Sequence, residues 1–340
     1  MPREESISVL VEQALNGQRR ALARLITRVE NRAPDSVEAL ALLHPHTGRA
    51  TLVGITGAPG TGKSTLVNAL ARTLRARTFT VAIVAIDPSS PFSGGAVLGD
   101  RIRMGDLAGD RGVFIRSMAN RGSLGGLAAA THDVVRVLDA AGFDYVLIET
   151  VGAGQSEVDI ARTAYTTVVV DAPGMGDDVQ AIKAGILEIA DVIVVNKADR
   201  PGVQNTVRAL RAALDLGHRF RLTGHHGSLI QTPAAPPPDY DFWTVPILQT
   251  VATEYTGLDE VVAAIHQHGA HLRESGIWAE RERQRIETEL AERLRDALLV
   301  QWTAAHAPDA LQTIVERIIK REVDPASAVR ALIDGNKPEK

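Results

Sequence analysis

Short apolar runs, bounded by glycine, aspartate or proline, recur through the middle of the chain. Because these runs are apolar throughout, they predict strands that are covered on both faces, as in a parallel sheet. Helical stretches separate them, so the pattern favours an α/β fold with a doubly wound, mostly parallel sheet. The predicted strands cover Thr51–Thr56, Thr80–Ile86, Val113–Met118, Tyr145–Glu149, Thr166–Val170, Val192–Val195 and Val245–Leu248.

Helical patterns flank this domain on both sides. Residues 5–31 carry apolar side chains at spacings of three and four, which predicts an amphipathic helix. The charged stretch 278–320 has one apolar stripe that needs a partner surface, either the domain itself or a second subunit. This stripe consists of Ile286, Leu290, Leu294, Leu298 and Trp302.

The chain is therefore divided into three predicted regions. They are an N-terminal helical appendage (1–47), an α/β domain (48–272) and a C-terminal helical region (273–340). Within the α/β domain, the stretch 217–243 is rich in proline and histidine, which predicts a surface excursion.

Composition narrows the class of protein. The 340 residues are 45% apolar and 23% charged, which is enough to build a large core. The absence of cysteine excludes a disulfide scaffold, thiolate catalysis and cysteine-ligated metal sites. The net charge of -4 argues against a protein that coats nucleic acid or an anionic membrane. With no long apolar run and no apolar leader, we expect a cytoplasmic protein or, in a cell with organelles, a matrix protein after processing. We expect it to bind neither nucleic acid nor membranes.

A phosphate-binding motif follows the first predicted strand and opens a helix. Its glycines let backbone N–H groups turn towards phosphate oxygens, and the helix N-terminus adds partial positive charge. Lys63 reaches the terminal phosphates, and the Ser64 hydroxyl is available to Mg²⁺. The motif is Gly57-Ala58-Pro59-Gly60-Thr61-Gly62-Lys63-Ser64.

A second motif selects the base. Asn196-Lys197-Ala198-Asp199 comes at the carboxyl end of a predicted strand, where open parallel sheets bind ligands. The Asp199 carboxylate can accept two hydrogen bonds from guanine N1–H and N2–H₂, whereas adenine offers no such pair. The stem of Lys197 can cover one face of the base. The sequence therefore favours GTP over ATP.

Three acidic residues are candidate ligands for Mg²⁺ beside Ser64. Asp87 and Glu149 follow buried strands, and Asp100 lies in the loop after Asp87. Oxygen ligands of this kind suit Mg²⁺, which takes only one or two protein groups besides phosphates and water. Each acid alone also fits a helix cap or a solvent-facing loop, and both interpretations stay open.

Glycine-rich segments after three of the strands are candidate switch loops. They cover residues 88–110, 152–157 and 174–183. Loops that contact a γ-phosphate and release it after hydrolysis commonly report the nucleotide state of a GTPase. The third also fits an ordinary loop before an amphipathic helix. Its Lys183 is one of only six lysines in a chain with 37 basic residues.

Together these segments resemble the MeaB/ArgK/MMAA family of P-loop GTPases, the G-protein chaperones of adenosylcobalamin-dependent acyl-CoA mutases. The resemblance covers about residues 5–320. The phosphate and base motifs are shared by many GTPases, whereas the long loop after Asp87 and the segment after Glu149 are specific to this family. The matching segments are 57–65, 86–104, 149–157, Asp178-Val179-Gln180 with Lys183 and Gly185, and 196–199.

The resemblance implies a role for each matching residue. GTP and GDP would bind through the phosphate motif, extended to Thr65, and through Asn196, Lys197 and Asp199. Ser64, Asp87, Asp100 and Glu149 would lie around Mg²⁺ and the attacking water, with Lys63 on the phosphates. Signalling to the mutase would use switch residues, namely Gln155, Asp177, Asp178, Gln180 and Lys183.

The family also implies partners. Its members form homodimers through C-terminal helices, and their GTP hydrolysis is stimulated by the mutase. Hydrolysis gates loading of the cobalamin cofactor or removal of its inactivated form. The partners implied for this chain are an adenosylcobalamin-dependent acyl-CoA mutase, a second copy of the chain and, as a further candidate, a cobalamin adenosyltransferase.

The sequence departs from the family pattern in two places. Thr250-Val251-Ala252 stands where a Thr-Ser-Ala segment supports guanine, so a hydroxyl is lost while the backbone N–H groups of Val251 and Ala252 are kept. The stretch 217–243 replaces a compact connection.

Two other functions stay open from the sequence. One is a kinase for a small molecule, although no separate constellation of charged residues marks a second substrate. The other is a metal-delivery GTPase, motivated by the loop histidines His218, His225 and His226.

Overall fold

The computed structural model separates the chain into two compact units, Met1–Arg285 and Ile286–Lys340. The three-region division drawn from the sequence stays a prediction. The residues that the structure describes are 6–88, 107, 109–120, 126–150, 160–161, 163–175, 186–217, 220–225, 228–233, 243–305 and 310–334.

A parallel sheet forms the centre of the first unit. Its seven strands lie in the order β3-β2-β4-β1-β5-β6-β9, and every neighbouring pair is parallel. All seven predicted strands are present, each within a few residues of its expected bounds. The strands are β1 (Thr51–Gly57), β2 (Val81–Pro88), β3 (Val113–Asn120), β4 (Tyr145–Thr150), β5 (Thr166–Asp171), β6 (Val192–Asn196) and β9 (Ile247–Thr250).

Helices cover both faces of this sheet, which confirms the doubly wound α/β fold. The two faces take alternate residues of one strand: Leu52 joins one buried cluster and Val53 joins the other. In the first unit the helices are α1 (Ile7–Leu15), α2 (Arg19–Glu30), α3 (Ser36–Leu43), α4 (Lys63–Ala76), α5 (Gly126–Ala140), α6 (Val203–Gly217) and α7 (Leu258–Glu274).

The N-terminal region contains three helices, whereas the pattern predicted one helix over residues 5–31. Gly17 ends the first, because it adopts a left-handed φ of 78° that a glycine takes without strain. The expected apolar face is nevertheless buried: Leu10, Leu25 and Ile26 are at most 1% exposed and join the cluster that contains α5.

A two-stranded antiparallel hairpin lies within the stretch 217–243, where no strands were expected. It pairs β7 (Phe220–His225) with β8 (Ser228–Pro233). Phe220-Arg221-Leu222-Thr223 alternates between apolar and polar residues, but this run is only four residues long, and Ser228-Leu229-Ile230-Gln231 does not alternate, so the strand signal is weak. The prediction that this stretch lies at the surface is not tested, because the side chains of β7 and β8 lie outside the described residues.

The second unit is helical, as expected. The long helix α8 (Ile277–Ala305) enters it, and α9 (Ala310–Ile319) and α10 (Pro325–Asp334) follow. The four aliphatic members of the predicted stripe on α8 are 48–65% exposed. None of the helices in the described part of the chain combines the length and the apolar character that a membrane span requires.

A buried polar network closes the amino-terminal edge of the sheet. Asp191, just before β6, accepts a hydrogen bond from the Thr167 backbone N–H at 2.8 Å, and its other oxygen lies 3.2 Å from His268 and 3.1 Å from Arg281. Burial by itself would raise the pKa of Asp191, but these neighbours hold it below its ordinary value. The network ties α7 and the start of α8 to β5 and β6.

We expect Asp191→Asn to lower the free energy of unfolding by about 3 kcal/mol near pH 7, because one member of a buried charged network is lost. A lowered pKa stabilises the folded state above the ordinary value of 3.8, and this contribution disappears as the pH falls through the lowered pKa. The difference between parent and variant should therefore shrink below about pH 4 in urea titrations. The exposed Asp215→Asn is the control, and equal losses in both variants would contradict the network.

Candidate functional site

The phosphate motif joins β1 to α4 and needs glycine at its first position. Gly57 has a φ of 139°, and a Cβ atom there would lie 2.1 Å from the Val170 carbonyl oxygen on β5. Gly60 and Gly62 also have positive φ values, of 83° and 92°. The loop therefore adopts a backbone that L side chains rarely allow, directly against a neighbouring strand.

Lys63, the first residue of α4, is folded back into the motif. Its side-chain nitrogen donates hydrogen bonds to the carbonyl oxygens of Gly57 at 2.6 Å and Ala58 at 3.1 Å. The residue is only 6% exposed. A buried ammonium and the N-terminus of α4 thus present positive charge at the same place, which suits a phosphate group.

Ser64 and Glu149 form the second polar pair. The Ser64 hydroxyl donates a hydrogen bond of 2.6 Å to Oε1 of Glu149, which is fully buried in β4 next to β1. A hydroxyl and a carboxylate side by side at a phosphate loop offer only oxygen ligands. They fit Mg²⁺, which prefers such ligands and takes the rest from phosphates and water.

The remaining predicted acids are less fully described. Asp87 lies on β2 at the same carboxyl edge of the sheet, since Ala85 pairs in register with Glu149 and Asp87 follows two residues later. Its side chain is outside the described part, as are the other predicted metal and switch residues: Asp100, Gln155, Asp177, Asp178, Gln180 and Lys183.

The Asn196 side chain connects the base motif to the phosphate motif. Its Nδ2 donates to the Thr61 carbonyl at 3.0 Å, while its Oδ1 accepts from the Thr250 hydroxyl at 3.1 Å and from the Ala252 N–H at 3.2 Å. The residue is 2% exposed. One buried amide thereby fixes three separate loops relative to one another.

The next residues of the base motif lie at the surface of this site. Lys197 has a φ of 57°, and its amine donates to the Gly60 carbonyl at 2.6 Å, so its stem crosses the phosphate loop. Asp199 is exposed. The N–H groups of Val251 and Ala252, expected to support guanine, donate to Thr256 and Asn196 within the protein.

A cavity of about 280 Å³ on the flank of α4 was not foreseen. It lies between that helix and the loop after β9, and its lining includes Ser64, Thr65, Arg72, Ala252, Thr253 and Tyr255. Arg72 follows Ser64 by eight residues, which is just over two helical turns. The helical period that places both residues on one face of α4 was therefore the only sequence signal for Arg72.

Asn196→Ala should lower GDP affinity by about tenfold, because it removes the bond to the phosphate loop and leaves two buried donors without their acceptor. The free energy of unfolding should fall by about 2 kcal/mol for the same reason. Isothermal titration calorimetry and urea denaturation measure the two effects. The exposed Asn205→Ala on α6 is the matched control, and parental GDP binding in Asn196→Ala would refute this role.

Comparisons with known proteins identify a family for this chain. The family model described as methylmalonyl Co-A mutase-associated GTPase MeaB matches residues 22–307. A putative GTPase of Pyrococcus abyssi is 45% identical over 96% of both chains. The mitochondrial methylmalonic aciduria type A homolog of Caenorhabditis elegans is 30% identical over 92% of this chain and 75% of its own.

A solved structure matches over nearly the whole length. The crystal structure of an LAO/AO transport system kinase covers 98% of both chains at 26% identity, with a TM-score of 0.69. The family resemblance seen in the sequence is thus confirmed. The chain belongs to the MeaB family, and it is a P-loop GTPase that binds guanine nucleotides.

Proposed function

We propose that this GTPase is a chaperone of an adenosylcobalamin-dependent acyl-CoA mutase of the methylmalonyl-CoA mutase type, and that GTP hydrolysis gates cofactor loading and reactivation. The observation that carries the catalytic part is the pairing of Ser64 with buried Glu149 beside Lys63. The mutase part rests on the description of the family model.

Phosphoryl transfer to water needs positioning and electrostatic stabilisation more than covalent chemistry. In this proposal Lys63 leaves the carbonyls of Gly57 and Ala58 and binds the terminal phosphates. Ser64 and Glu149, joined by Asp87 and Asp100, would hold Mg²⁺, which neutralises developing charge on the phosphates. Glu149 also orients the attacking water, because it is fixed in the sheet next to the motif.

Guanine recognition is assigned to Asp199. Its carboxylate accepts hydrogen bonds from N1–H and N2–H₂, and Lys197 covers one face of the base. Because Asn196 ties the start of this loop to Thr61, the distance between the base site and the phosphate site is set by the protein before the nucleotide binds.

Two of the proposed switch segments begin where central strands end. Gln155 follows β4, and the segment from Asp177 through Asp178 and Gln180 to Lys183 follows β5. Both strands flank β1, so their carboxyl ends lie at the edge that holds the phosphate motif. A mutase that contacts these segments would sense whether the γ-phosphate is present.

The proposed homodimer uses the stripe on α8. Ile286, Leu290, Leu294 and Leu298 expose about half or more of their surface, and apolar side chains arranged four apart form a continuous face. Burial against a second copy would remove this face from water. We also propose a cytoplasmic location, which suits a cysteine-free chain.

Asp199→Asn should weaken GTP binding by about tenfold to a hundredfold, because the amide cannot accept both hydrogen bonds from guanine. The same change should improve binding of xanthosine triphosphate, since the new amide N–H₂ can donate to the carbonyl at C2. Competition against a fluorescent nucleotide measures both affinities. Asp215→Asn is the control, and an unchanged preference for GTP would exclude Asp199 as the base-reading residue.

Lys183→Ala should leave the intrinsic rate of GTP hydrolysis nearly unchanged and lower the mutase-stimulated rate by about fivefold, the scale expected for one interfacial charge. Phosphate release with and without the co-purified mutase measures both rates, and Lys320→Ala is the matched lysine control. Equal stimulation of variant and parent would refute the signalling role.

The same assay separates the proposed function from its alternatives. With γ-labelled GTP, free phosphate is expected as the sole labelled product, and a labelled metabolite would instead indicate a kinase. A metal-delivery GTPase would bind Ni²⁺ in equilibrium dialysis and lose that binding in the double variant His225→Ala, His226→Ala. The mutase that co-purifies with the chain identifies the partner, and a cobalamin adenosyltransferase would appear in the same experiment.

A further inference from the structure

The cavity beside α4 borders residues that adjoin both motifs of the proposed nucleotide site. Ser64 and Thr65 line it at the phosphate end, while Ala252 and Thr253 line it at the end that Asn196 holds. In the proposed site the phosphates bind at Lys63 and the base at Asp199, and the ribose that joins them is placed beside this cavity, near Ser64 and Ala252. At about 280 Å³, the cavity is just below the roughly 300 Å³ at which small-ligand pockets begin, so it suits part of a nucleotide.

Tyr255 lines this cavity and has an unusual backbone conformation. Its φ is 59°, which is uncommon for an aromatic residue, and its side chain is 47% exposed. Two backbone hydrogen bonds between Val251 and Thr256, of 3.1 and 3.3 Å, close the loop around it. Strained residues that the surrounding structure over-determines are typical of ligand sites.

The loop is also fixed from its other side. Gly257 has a φ of 77°, and a Cβ atom there would lie 2.2 Å from the Gln249 carbonyl oxygen on β9. The backbone on both sides of Tyr255 is therefore specified by close contacts. The fold therefore holds Tyr255 in place although about half of its surface stays exposed to water.

Arg72 holds the ring from the helix side. Its Nη1 donates a hydrogen bond of 2.7 Å to the Tyr255 hydroxyl, and its guanidinium carbon lies 5.8 Å from the ring centroid. Arg72 is on the same helix as Ser64, so the ring is positioned relative to the phosphate motif itself.

We infer that Tyr255, oriented by Arg72, is a positioning residue that contacts the guanosine end of the bound nucleotide. Lys197 crosses the phosphate loop and covers the base from there, whereas Tyr255 covers the nucleoside from the α4 side. The inference rests on the proposed guanine site. An aromatic wall of this kind slows nucleotide release, because the ring must lose its contact with the nucleoside before GDP leaves.

The test compares ligands with and without a nucleoside. Tyr255→Asn removes the ring but keeps a residue that tolerates left-handed backbone, so the loop should persist. We expect its GDP affinity to fall roughly tenfold, as for loss of one aromatic contact to a base. Affinity for inorganic pyrophosphate, which uses only the phosphate motif, should stay within twofold of the parent. Tyr255→Phe keeps the ring and should bind GDP within about threefold of the parent.

Calorimetry on the full chain distinguishes the outcomes. Unchanged GDP affinity in Tyr255→Asn would overturn the inference, and equal losses for GDP and pyrophosphate would also overturn it in favour of a structural role. Arg72→Gln should weaken GDP binding selectively, with the exposed Arg208→Gln as control. If the parent itself bound pyrophosphate but showed no preference for GDP, the proposed guanine site would fail instead.

Discussion

The nucleotide site depends on the buried side chain of Asn196. Its amide bonds to Thr61, Thr250 and Ala252 and so connects the phosphate motif, the end of β9 and the base motif. An amide suits this task because it donates and accepts at once, which neither a carboxylate nor an aliphatic side chain can do. Buried polar groups are costly unless every bond is made, so this arrangement specifies one relative position of the three loops.

The sheet supplies the second constraint. Gly57 brings the phosphate motif against the backbone of β5, with no room for a side chain. Glu149 lies on β4, the other neighbour of β1, so the metal candidate and the phosphate loop are placed by adjacent hydrogen-bonded strands. The hydrogen-bonded register of β1 with β4 fixes where these strands end, and it contributes to the short distance between Ser64 and Glu149.

Much of this arrangement was predictable from local sequence, because both motifs and all seven central strands carry their signals within a few residues. The break at Gly17 was missed because the apolar face continues across it. The cavity formed by Arg72 and Tyr255 was missed for a different reason. These two residues are 183 positions apart, and only the packing of α4 against the loop after β9 brings them together. Contacts of that kind leave no pattern in a single sequence.

Strand β6 has a polar anchor at each end, and this joins the stability of the fold to the geometry of the site. At its amino end, Asp191 is held by Thr167, His268 and Arg281. At its carboxyl end, Asn196 is held by the phosphate motif and by β9. A strand that is fixed at both ends also positions the residues that follow it. These residues, which include Asp199, then need no contacts of their own to be held in position. The exposed carboxylate of Asp199, the proposed base-reading group, can therefore be accurately placed while it stays open to solvent and to an incoming nucleotide.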